Sequence, residues 1–424
     1  MKVDNLILGA GIAGLGAAYS FYKNGKSALV VEKNKTYGGL CDSFEINGFR
    51  FDRFVHLTFA KEEVVNAIFQ KSCGELVTHI PNPYNLYHGK WIKHPAQNNL
   101  YPLSKDEKQL IISDFKQRPI IKDGMNPKNY EEWLRWQFGN YFAEHFPMVY
   151  TRKYWMKEAR ELRTEWVGSR IYQPSLEEVI MGCKTSETPV TYYAKEMRYP
   201  KKGGFKALLK EMADHATIKY GYEVSHIDIH KKKVTFSNGD VIAYNRLFSS
   251  IPLPEIAKMI SDIPQEVYNA SLQLEATSGY HISIALKNRH IPPYIWWYIY
   301  DEDILAARVY SPSLKSADNA PEGCSSLQME VYCKENEYTE RQLLDGTVTK
   351  LVNLGILNEK DILFTHIGFE KYANVIFTDT IYDARKQVRD YLKSVGIETF
   401  GRFGEWDYLW TNQSLLSGMN ACKF

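Results

Sequence analysis

The sequence predicts an α/β protein built from two interleaved lobes. Three observations lead to this expectation: a strand, a glycine-rich turn and a helix open the chain over residues 3–23; residues 105–147 carry apolar side chains at three- and four-residue spacing, which predicts helices; and residues 270–335 alternate apolar with polar side chains, which predicts an antiparallel sheet with one covered face. Because 424 residues are too many for one ordinary core, we expect two or three domains. No low-complexity linker separates them, so the domains are expected to be interwoven.

The opening segment has the spacing of a dinucleotide-binding turn. Gly9, Gly11 and Gly14 follow the apolar run Val3–Leu8 in the pattern G-x-G-x-x-G. The first glycine permits a tight turn, the second lets a pyrophosphate approach the backbone, and the third lets the helix pack closely. The helix N-terminus offers free N–H groups to phosphates. Glu32 ends the next apolar run, where a carboxylate can accept hydrogen bonds from ribose hydroxyls. A glycine-rich turn used only for packing is the alternative.

Composition narrows the classes of function. Hydrophobic residues make up 44% and charged residues 24%, as in globular proteins, and a net charge of +2 favours neither nucleic acid nor an anionic membrane. No apolar run is long enough for a membrane span. The six cysteines form no C-x-x-C pair and lack zinc spacing to histidine, so we expect reduced thiols and no metal site. The first strand leaves no room for a signal peptide, and we therefore expect a cytoplasmic protein.

A second glycine pair follows the acidic residue. The segment of residues 3–40 resembles the superfamily that contains flavin amine oxidases, protoporphyrinogen oxidase, phytoene desaturase and UDP-galactopyranose mutase, in which an acid–x(5)–Gly–Gly element belongs to the FAD site. The resemblance implies FAD rather than NAD and a Rossmann-type FAD-binding domain of the glutathione-reductase type. It implies cofactor contacts at Gly9, Gly11, Gly14, Glu32, Lys33, Gly38, Gly39 and Leu40.

The C-terminal segment, FGRFGEWDYLWTNQSLLSG at residues 400–418, resembles the pattern G-R-x-G-x-W/Y-x-Y…D-Q-x-x-x-x-G of the same superfamily. We expect residues 401–404 to end a strand and a helix to start near residue 412. In relatives this helix N-terminus faces the flavin, where its dipole stabilises negative charge. In relatives, the backbone at the position of Val224 also contacts the adenine of the cofactor. The resemblance thus implies additional cofactor contacts at Val224, Arg402, Asn412, Gln413 and Ser414.

Other elements resemble the substrate pocket of the mutases. Residues 150–155, YTRKYW, are similar to the mutase element Y-T-x-K-x-W, which implies pocket positions at Tyr154, Trp155 and Arg170; a tryptophan in a helical core is the alternative for Trp155. The run that begins at Arg308 resembles R-x-x-x-x-S-P…P-x-G, which implies that Arg308 reaches a substrate diphosphate, with a surface salt bridge as the alternative. Tyr408 matches the mutase tyrosine that binds this diphosphate. The stretch LQLEATSGYHIS lacks the arginine of the bacterial Y-R-S-L element.

His56 lies in the segment FDRFVHLTF, which resembles the loop that passes the flavin ring in the mutase and oxidase families. Two interpretations stay open: His56 contacts the isoalloxazine, or it caps a helix that starts near Ala60. With the first interpretation, the expected catalytic residues are His56, Arg308 and Tyr408.

The expected domains follow from these matches. Residues 1–80, 195–255 and 390–424 form the FAD-binding domain, residues 81–194 a mostly helical insertion, and residues 256–389 an antiparallel sheet domain for the substrate. The meander is expected over 224–229, 233–236 and 241–244, followed by a separate buried strand over 247–252.

The resemblance implies an FAD-dependent enzyme of the oxidoreductase type that acts at flavin N5 on a small molecule, a sugar nucleotide or related glycan precursor in polysaccharide biosynthesis. Three alternatives remain: a redox-neutral, mutase-like pyranose/furanose isomerase that uses reduced FAD, an amine oxidase or desaturase-type oxidase, and a non-catalytic flavin-binding protein. The sequence leaves the oligomeric state and the electron donor or acceptor open.

Overall fold

The computed structural model describes residues 1–119 and 125–422. Residues 120–124 of the expected helical insertion and residues 423–424 of the expected FAD-binding domain lie outside this description. The first part of the chain forms β1 (Lys2–Leu8), α1 (Ile12–Lys23), β2 (Leu29–Glu32), β3 (Ser43–Ile46), β4 (Phe49–Asp52), α2 (Glu63–Cys73), β5 (Leu76–His79), β6 (Tyr84–Tyr87), β7 (Lys90–Lys93) and α3 (Lys105–Gln117).

The middle of the chain begins with helices and returns to strands. It forms α4 (Tyr130–Phe138), α5 (Asn140–His145), α6 (Pro147–Trp155), α7 (Leu176–Lys184), β8 (Met197–Pro200), α8 (Lys210–Asp214), β9 (Thr217–Tyr220), β10 (Val224–Asp228), β11 (Lys233–Phe236), β12 (Val241–Ser249) and α9 (Leu253–Lys258).

The last part of the chain supplies the second large sheet and the closing helices. It forms α10 (Gln265–Leu272), β13 (Ala276–Leu286), β14 (Trp296–Ile299), β15 (Arg308–Tyr310), α11 (Pro312–Lys315), β16 (Ser325–Tyr332), α12 (Glu340–Asp345), α13 (Val348–Asn353), β17 (Ile362–Val375), α14 (Ile381–Ser394), β18 (Ile397–Thr399), α15 (Gly401–Gly404) and α16 (Thr411–Ala421).

The first large sheet confirms the predicted Rossmann-type lobe. Its strand order is β10-β11-β12-β1-β2-β9, and β18 pairs with β12. The pairs among β18, β12, β1, β2 and β9 are parallel, and β10–β11–β12 are antiparallel. The strands come from the start, the middle and the end of the chain. The last four residues of β1 are fully buried or nearly so, as a strand covered on both faces requires.

The expected break between residues 244 and 247 is wrong, because β12 is one strand of nine residues. Its first residues pair antiparallel with β11, whereas residues 243–249 pair parallel with β1 and the end of the strand pairs parallel with β18. The strand changes partners along its length, and the partner change is not visible in the local sequence.

The second large sheet has the order β17-β13-β16-β15-β14-β6-β7. It is antiparallel except for the parallel pair β14–β6. The hairpin β6–β7 thus joins this sheet although residues 81–194 were expected to be mostly helical. The expectation of one covered face is wrong for β16, whose eight residues are all buried. One face of β16 packs in a cluster with residues of α12 and α13, and Tyr332 on the opposite face lines a cavity.

The last helix packs against the first through glycines. A Cβ on Gly16 would lie 2.7 Å from the carbonyl oxygen of Leu415, and a Cβ on Gly418 would lie 1.9 Å from the carbonyl oxygen of Ala13. The two backbones therefore approach closely only because these positions lack side chains. The contact sets the N-terminus of α16 beside the start of the chain.

A buried ion pair joins the two lobes. Asp52 ends β4 and Lys315 ends α11, and both side chains are fully buried. Lys315 donates to the Asp52 carboxylate, which also accepts from the Tyr199 hydroxyl at 2.8 Å and from the Phe205 N–H at 3.0 Å. Burial alone would raise the pKa of Asp52, but Lys315 and these donors hold it below its usual range. The pair therefore fixes the start of the loop at residues 53–59.

Candidate functional site

The glycine turn between β1 and α1 has the geometry that its spacing predicts. Gly9 has φ +96°, and its N–H donates to the Val31 carbonyl at 2.8 Å. A Cβ on Gly14 would lie 1.9 Å from the Gly9 carbonyl oxygen, so the helix packs on the turn only without that side chain. A Cβ on Gly11 would meet only the Gly38 carbonyl oxygen, at 4.0 Å. Gly11 therefore faces open space at the helix N-terminus.

Glu32 and the second glycine pair close over this turn. The buried Glu32 carboxylate accepts from the Ala10 N–H at 2.8 Å and from the Asn34 N–H at 2.9 Å. The Gly38 N–H donates to the Ala10 carbonyl at 2.9 Å, and both Gly38 and Gly39 have positive φ, at +126° and +58°. The Asn34 Nδ2 also donates to Glu32 Oε1 at 2.9 Å, so the carboxylate holds the loop in place and one lone pair, on Oε2, is left for a ribose hydroxyl.

Three other predicted cofactor positions lie at the edges of this region. Lys33 is exposed at the end of β2, and Leu40 lines the cavity described below. Val224 begins β10 and is buried. The Tyr222 N–H, two residues before it, donates to the Glu32 carbonyl at 2.9 Å, so the start of β10 lies close to the end of β2.

The C-terminal motif forms two helices rather than a strand end and a helix. β18 ends at Thr399, and residues 401–404 form the helical turn α15, so the expectation that they end a strand is wrong. Gly401 has φ +76° and turns the chain out of the sheet after β18. α16 begins at Thr411, as the sequence predicts.

The start of α16 carries three predicted residues. The Asn412 side chain donates to the Glu62 carboxylate at 2.9 Å, and Asn412 lines the cavity. The Gln413 side-chain oxygen accepts from the Trp410 N–H at 2.8 Å, and Ser414 is buried in the next turn. The side chains of Asn412 and Gln413 are therefore held by protein partners, which leaves backbone N–H groups at the helix start.

A cavity of about 550 Å³ lies between the two sheets and the helical insertion. It brings together residues that are far apart in sequence. Nine of the predicted site residues line it: Leu40, His56, Tyr154, Trp155, Arg170, Arg308, Arg402, Tyr408 and Asn412. The glycines of the turn and Glu32 are not among the lining residues.

Arg308 points into this cavity rather than to the surface. Its Nε donates to the Glu330 carboxylate at 2.8 Å, and Nη2 lies 2.6 Å from the same oxygen. Burial alone would lower the pKa of Arg308, but the buried Glu330 raises it well above its ordinary value. Glu330 also accepts from the Val55 N–H at 2.7 Å and from the Tyr332 hydroxyl at 2.8 Å. One carboxylate thus connects Arg308 to the loop that carries His56.

Arg402 is the second arginine of the cavity. Its Nη2 donates to the Asn374 side-chain oxygen at 2.8 Å, and that oxygen also accepts from the Tyr154 hydroxyl at 3.1 Å. The Arg402 Nε is buried and has no hydrogen-bond partner. A buried guanidinium with a free donor is suited to an anionic or carbonyl oxygen from a ligand.

Arg170 is the third arginine. Its guanidinium lies 4.6 Å from the Tyr408 ring centre and 5.0 Å from the Trp410 ring centre. It donates to the Trp166 carbonyl at 2.7 Å and to the Tyr408 carbonyl at 3.2 Å, while its Nε is buried without a partner. The two aromatic rings hold the cation at the cavity wall.

His56 does not cap a helix, because α2 begins at Glu63 rather than near Ala60. That interpretation is therefore wrong. The His56 ring stacks on Phe205 at 4.8 Å, and Nδ1 lies 3.3 Å from the Phe54 carbonyl oxygen. Since a carbonyl only accepts, Nδ1 carries the proton and Nε2 is an acceptor. Burial lowers the pKa of His56 to about 4, so the ring is neutral at pH 7.

Aromatic side chains form much of the remaining wall. Tyr154 stacks on Tyr150 with ring centres 5.4 Å apart, and Trp155 packs edge-on against Trp166 at 5.0 Å. Burial raises the pKa of Tyr154 well above its ordinary value, so its hydroxyl stays a donor. Trp155 therefore takes part in a core and also borders the cavity. The sequence did not indicate several other lining residues: His94, Tyr150, Tyr298, Tyr300, Tyr332 and Asn374.

Lys153, the cation of the YTRKYW element, is not among the lining residues. It donates to the carbonyls of Ile299 at 2.9 Å and Asp301 at 3.0 Å. Burial lowers the pKa of Lys153 to about 7. Its contacts attach α6 to the end of β14.

These features fit a bound dinucleotide. Gly11 leaves room for a pyrophosphate beside the amides of α1, and Leu40, Arg402 and Asn412 at the start of α16 all line the cavity. Among the described residues, no cluster of three His, Cys, Asp or Glu side chains is arranged to hold a metal ion. Within the same ranges, no helix has the length and apolar content needed to cross a membrane.

Comparisons with known proteins agree with this reading of the turn. The NAD(P)-binding Rossmann-like domain matches residues 7–72. The human all-trans-retinol 13,14-reductase is 40% identical over 62 residues, which cover 15% of this chain and 10% of that protein. The phytoene desaturase of Phycomyces blakesleeanus is 25% identical over 277 residues, which cover 56% of this chain and 46% of the desaturase. The chain therefore spans less than half of the length of these curated relatives.

Solved structures match over almost the whole chain. A reduced UDP-galactopyranose mutase superposes with a TM-score of 0.93 at 23% identity, covering 99% of this chain and 94% of the mutase. Putrescine oxidase bound to putrescine superposes with a TM-score of 0.67 at 12% identity, covering 100% and 98%. At these identities the likeness establishes the fold. The predicted resemblance is confirmed at that level: the chain has the two-lobed α/β fold of this superfamily, with a Rossmann-type nucleotide-binding lobe.

Proposed function

We propose that the protein is an FAD-dependent enzyme that binds a nucleotide diphosphate sugar in the cavity and transforms it next to the flavin. The observation that carries this proposal is the convergence of Arg170, Arg308 and Arg402 with Tyr154 and Tyr408 on one cavity. Guanidinium groups are suited to phosphate oxygens, and aromatic rings are suited to sugars and bases. The match to the mutase over nearly the full chain supports the same substrate class.

The cofactor is assigned to the glycine turn. The residues that would hold FAD are Gly11 and the α1 amides at the pyrophosphate, Glu32 at the ribose, and the start of α16 with Arg402 near the ring system. When bound, FAD supplies redox or nucleophilic chemistry at its N5 atom. We place the reacting end of the substrate near His56 and Leu40 for this reason.

The residues of the chain provide binding and orientation. Arg308 donates to the diphosphate while Glu330 fixes its orientation, because the carboxylate holds Nε and Nη2. The Tyr154 hydroxyl remains a donor at the same wall, and its oxygen lies 3.5 Å from the Tyr408 hydroxyl oxygen. Neutral His56 offers its Nε2 as an acceptor. The surrounding aromatic rings exclude water from the reacting centre.

We favour a redox-neutral isomerisation of the sugar ring, because the mutase superposes with a TM-score of 0.93 and putrescine oxidase with only 0.67. A net oxidation is the second candidate. It is supported by the buried Glu330 that neutralises Arg308 and by the K-G-G-F turn at residues 202–205, which is typical of the oxidase branch. A flavin-binding protein without turnover is the remaining alternative.

One spectroscopic experiment separates these candidates. We expect the purified protein to show the absorption bands of bound flavin, which dithionite reduces. UDP-galactose should then perturb the spectrum of the reduced protein, and chromatography should detect a furanose product. If amines or alcohols instead bleach the oxidised protein, the oxidase is correct. A ligand-dependent change without any product would indicate a binding protein, and a colourless protein that FAD cannot reconstitute would contradict the cofactor assignment.

Arg308→Ala tests the role of the cavity. Loss of charge-assisted hydrogen bonds should weaken binding of UDP by about 1.5–3 kcal/mol, measured by calorimetry on the flavin-loaded protein. Arg341→Ala is the matched control, because the Arg341 side chain is 89% exposed and pairs only with Asp345 on the surface. Equal affinity in Arg308→Ala and in the control would remove Arg308 from the binding site.

A further inference from the structure

His94 follows β7 and lines the cavity at a position that no sequence motif marks. Its ring lies 4.7 Å from the Tyr298 ring and 5.8 Å from the Tyr192 ring. Tyr298 is directly opposite Arg308 in the register of β14 and β15. Tyr298 is therefore a neighbour of both His94 and Arg308, the residue assigned to the substrate diphosphate.

The fully buried Asn85 fixes the tautomer of His94. The Asn85 Nδ2 donates to the carbonyls of Ile92 at 3.1 Å and Lys93 at 3.3 Å, which sets the orientation of the amide. The Asn85 Oδ1 therefore faces the His94 Nδ1, at 3.1 Å. An amide oxygen only accepts hydrogen bonds, so the Nδ1 of His94 must carry the proton.

The other ring nitrogen is left as an acceptor. Burial lowers the pKa of His94 to about 3, so the ring is neutral at pH 7 and Nε2 has no proton. Among the described residues, none donates to this nitrogen, and the His94 ring lines the cavity. The nearby Tyr298 hydroxyl accepts from the Trp296 indole N–H at 3.2 Å and forms no hydrogen bond to His94 in the described part of the chain. The cavity thus contains a preoriented acceptor with no donor from the protein.

We propose that the Nε2 of His94 recognises a hydrogen-bond donor on the substrate and so determines specificity. The donor is a hydroxyl of the sugar or an N–H of the base, the two groups that flank a diphosphate at Arg308. A substrate that presents an acceptor or a methyl group at this point leaves the nitrogen unsatisfied and binds less tightly. This inference rests on the proposed function, because it assumes that the cavity holds a nucleotide sugar.

The tautomer is tested first, without reference to activity. Long-range proton–nitrogen NMR spectra of histidine-labelled, flavin-loaded protein should show, besides the neutral ring of His56, a neutral ring with the proton on Nδ1 that disappears in His94→Gln. Asn85→Leu should shift that ring toward the other tautomer, since its Nδ1 loses the acceptor. A charged His94, or a proton on Nε2 in the wild type, would overturn the inference.

Binding then identifies the donor. His94→Phe keeps a ring but loses the acceptor, whereas the side-chain oxygen of His94→Gln can replace Nε2. We expect His94→Phe to bind UDP-galactose about tenfold more weakly than the wild type, with partial recovery in His94→Gln. His230→Phe is the control, because its side chain is 73% exposed.

The two sources of the donor give different results. A loss for UDP-galactose but not for UDP identifies a sugar hydroxyl, and an equal loss for both identifies the base. If the wild type binds both ligands and His94→Phe binds them equally well, the inference is wrong while the proposed function stands. If the wild type binds neither ligand, the proposed function fails and the inference fails with it.

Discussion

The glycine turn and the cavity are suited to ligands in opposite ways. The turn uses backbone N–H groups from a stretch of about thirty consecutive residues, and its shape depends on side chains that are missing. The cavity uses side chains from at least seven separate segments, and its shape depends on charges and rings that hold one another. The comparison indicates that one added Cβ at a closely packed glycine damages the turn. In the cavity, the contacts of neighbouring residues compensate in part for the loss of one side-chain group.

The largest expected effect concerns the buried Asp52–Lys315 ion pair at the start of the loop at residues 53–59. Lys315→Met leaves the Asp52 carboxylate fully buried without its counter-ion, which should lower the free energy of unfolding by about 3–5 kcal/mol. Chemical denaturation followed by tryptophan fluorescence measures the change. Lys386→Met, at a side chain that is 76% exposed, should change stability by less than ~0.5 kcal/mol. Equal stability of the two variants would show that the loop does not depend on this pair.

The turn is tested by two neighbouring glycines. Gly14→Ala puts a Cβ against the Gly9 carbonyl and should lower the free energy of unfolding of the apoprotein by about 1–3 kcal/mol. Gly11→Ala should leave the apoprotein as stable as the wild type, and Gly11→Val should prevent flavin retention by filling the open space. Thermal unfolding and the flavin-to-protein absorbance ratio are the measurements. Full flavin occupancy in Gly11→Val would contradict the assigned pyrophosphate site.

Acid should destabilise the protein through a buried histidine of the cavity. His56 has a folded pKa of about 4, against about 6.5 when unfolded, because burial disfavours its charged form. Between these values the unfolded chain binds more protons, so stability falls as the pH drops from 6.5 to 4, by about 2 kcal/mol. The charged groups that act on His56, namely Asp52, Lys315 and Glu330, partly cancel one another.

The contribution of His56 is isolated by comparing stability at pH 7 and pH 4.5. His56→Gln should lose less stability between these values than the wild type, whereas His230→Gln, at an exposed position, should behave as the wild type does. An unchanged pH dependence in His56→Gln would mean that this ring is accessible to protons in the folded state.

The smallest effect is expected at Tyr154, because its hydrogen-bond acceptor also has a second donor. Tyr154→Phe removes the hydroxyl that donates to Asn374, but Arg402 continues to donate to the same oxygen. We expect a loss of about 0.5–1.5 kcal/mol in the free energy of unfolding, with flavin retained. Tyr101→Phe, at an exposed ring, should have no measurable effect. A loss above ~3 kcal/mol in the free energy of unfolding would show that neighbouring residues do not compensate for the Tyr154 hydroxyl.

The same contrast explains what could be predicted from the sequence. The glycine turn and the start of α16 depend on local spacing and could be predicted from the sequence. Arg308 was proposed from a loose resemblance, but its partner Glu330 could not be found. The two residues lie on adjacent strands, and no local pattern records their register.

His94 and Asn374 illustrate the same limit. Asn85 fixes His94 from the opposite strand of a short hairpin, and that hairpin joins a sheet formed mainly by residues 276–375. Asn374 lies near the end of β17, where the sequence shows only a strand. Polar groups of this kind are specified by long-range pairing, so a single sequence without the fold does not identify them.

The seating of α16 on α1 has a consequence for biosynthesis. Gly16 emerges from the ribosome about four hundred residues before Gly418, and the surface that it offers to Leu415 stays bare until then. The contact between α1 and α16 therefore forms only after α16 has been synthesised, and a chain truncated ahead of this helix leaves the glycine face of α1 uncovered.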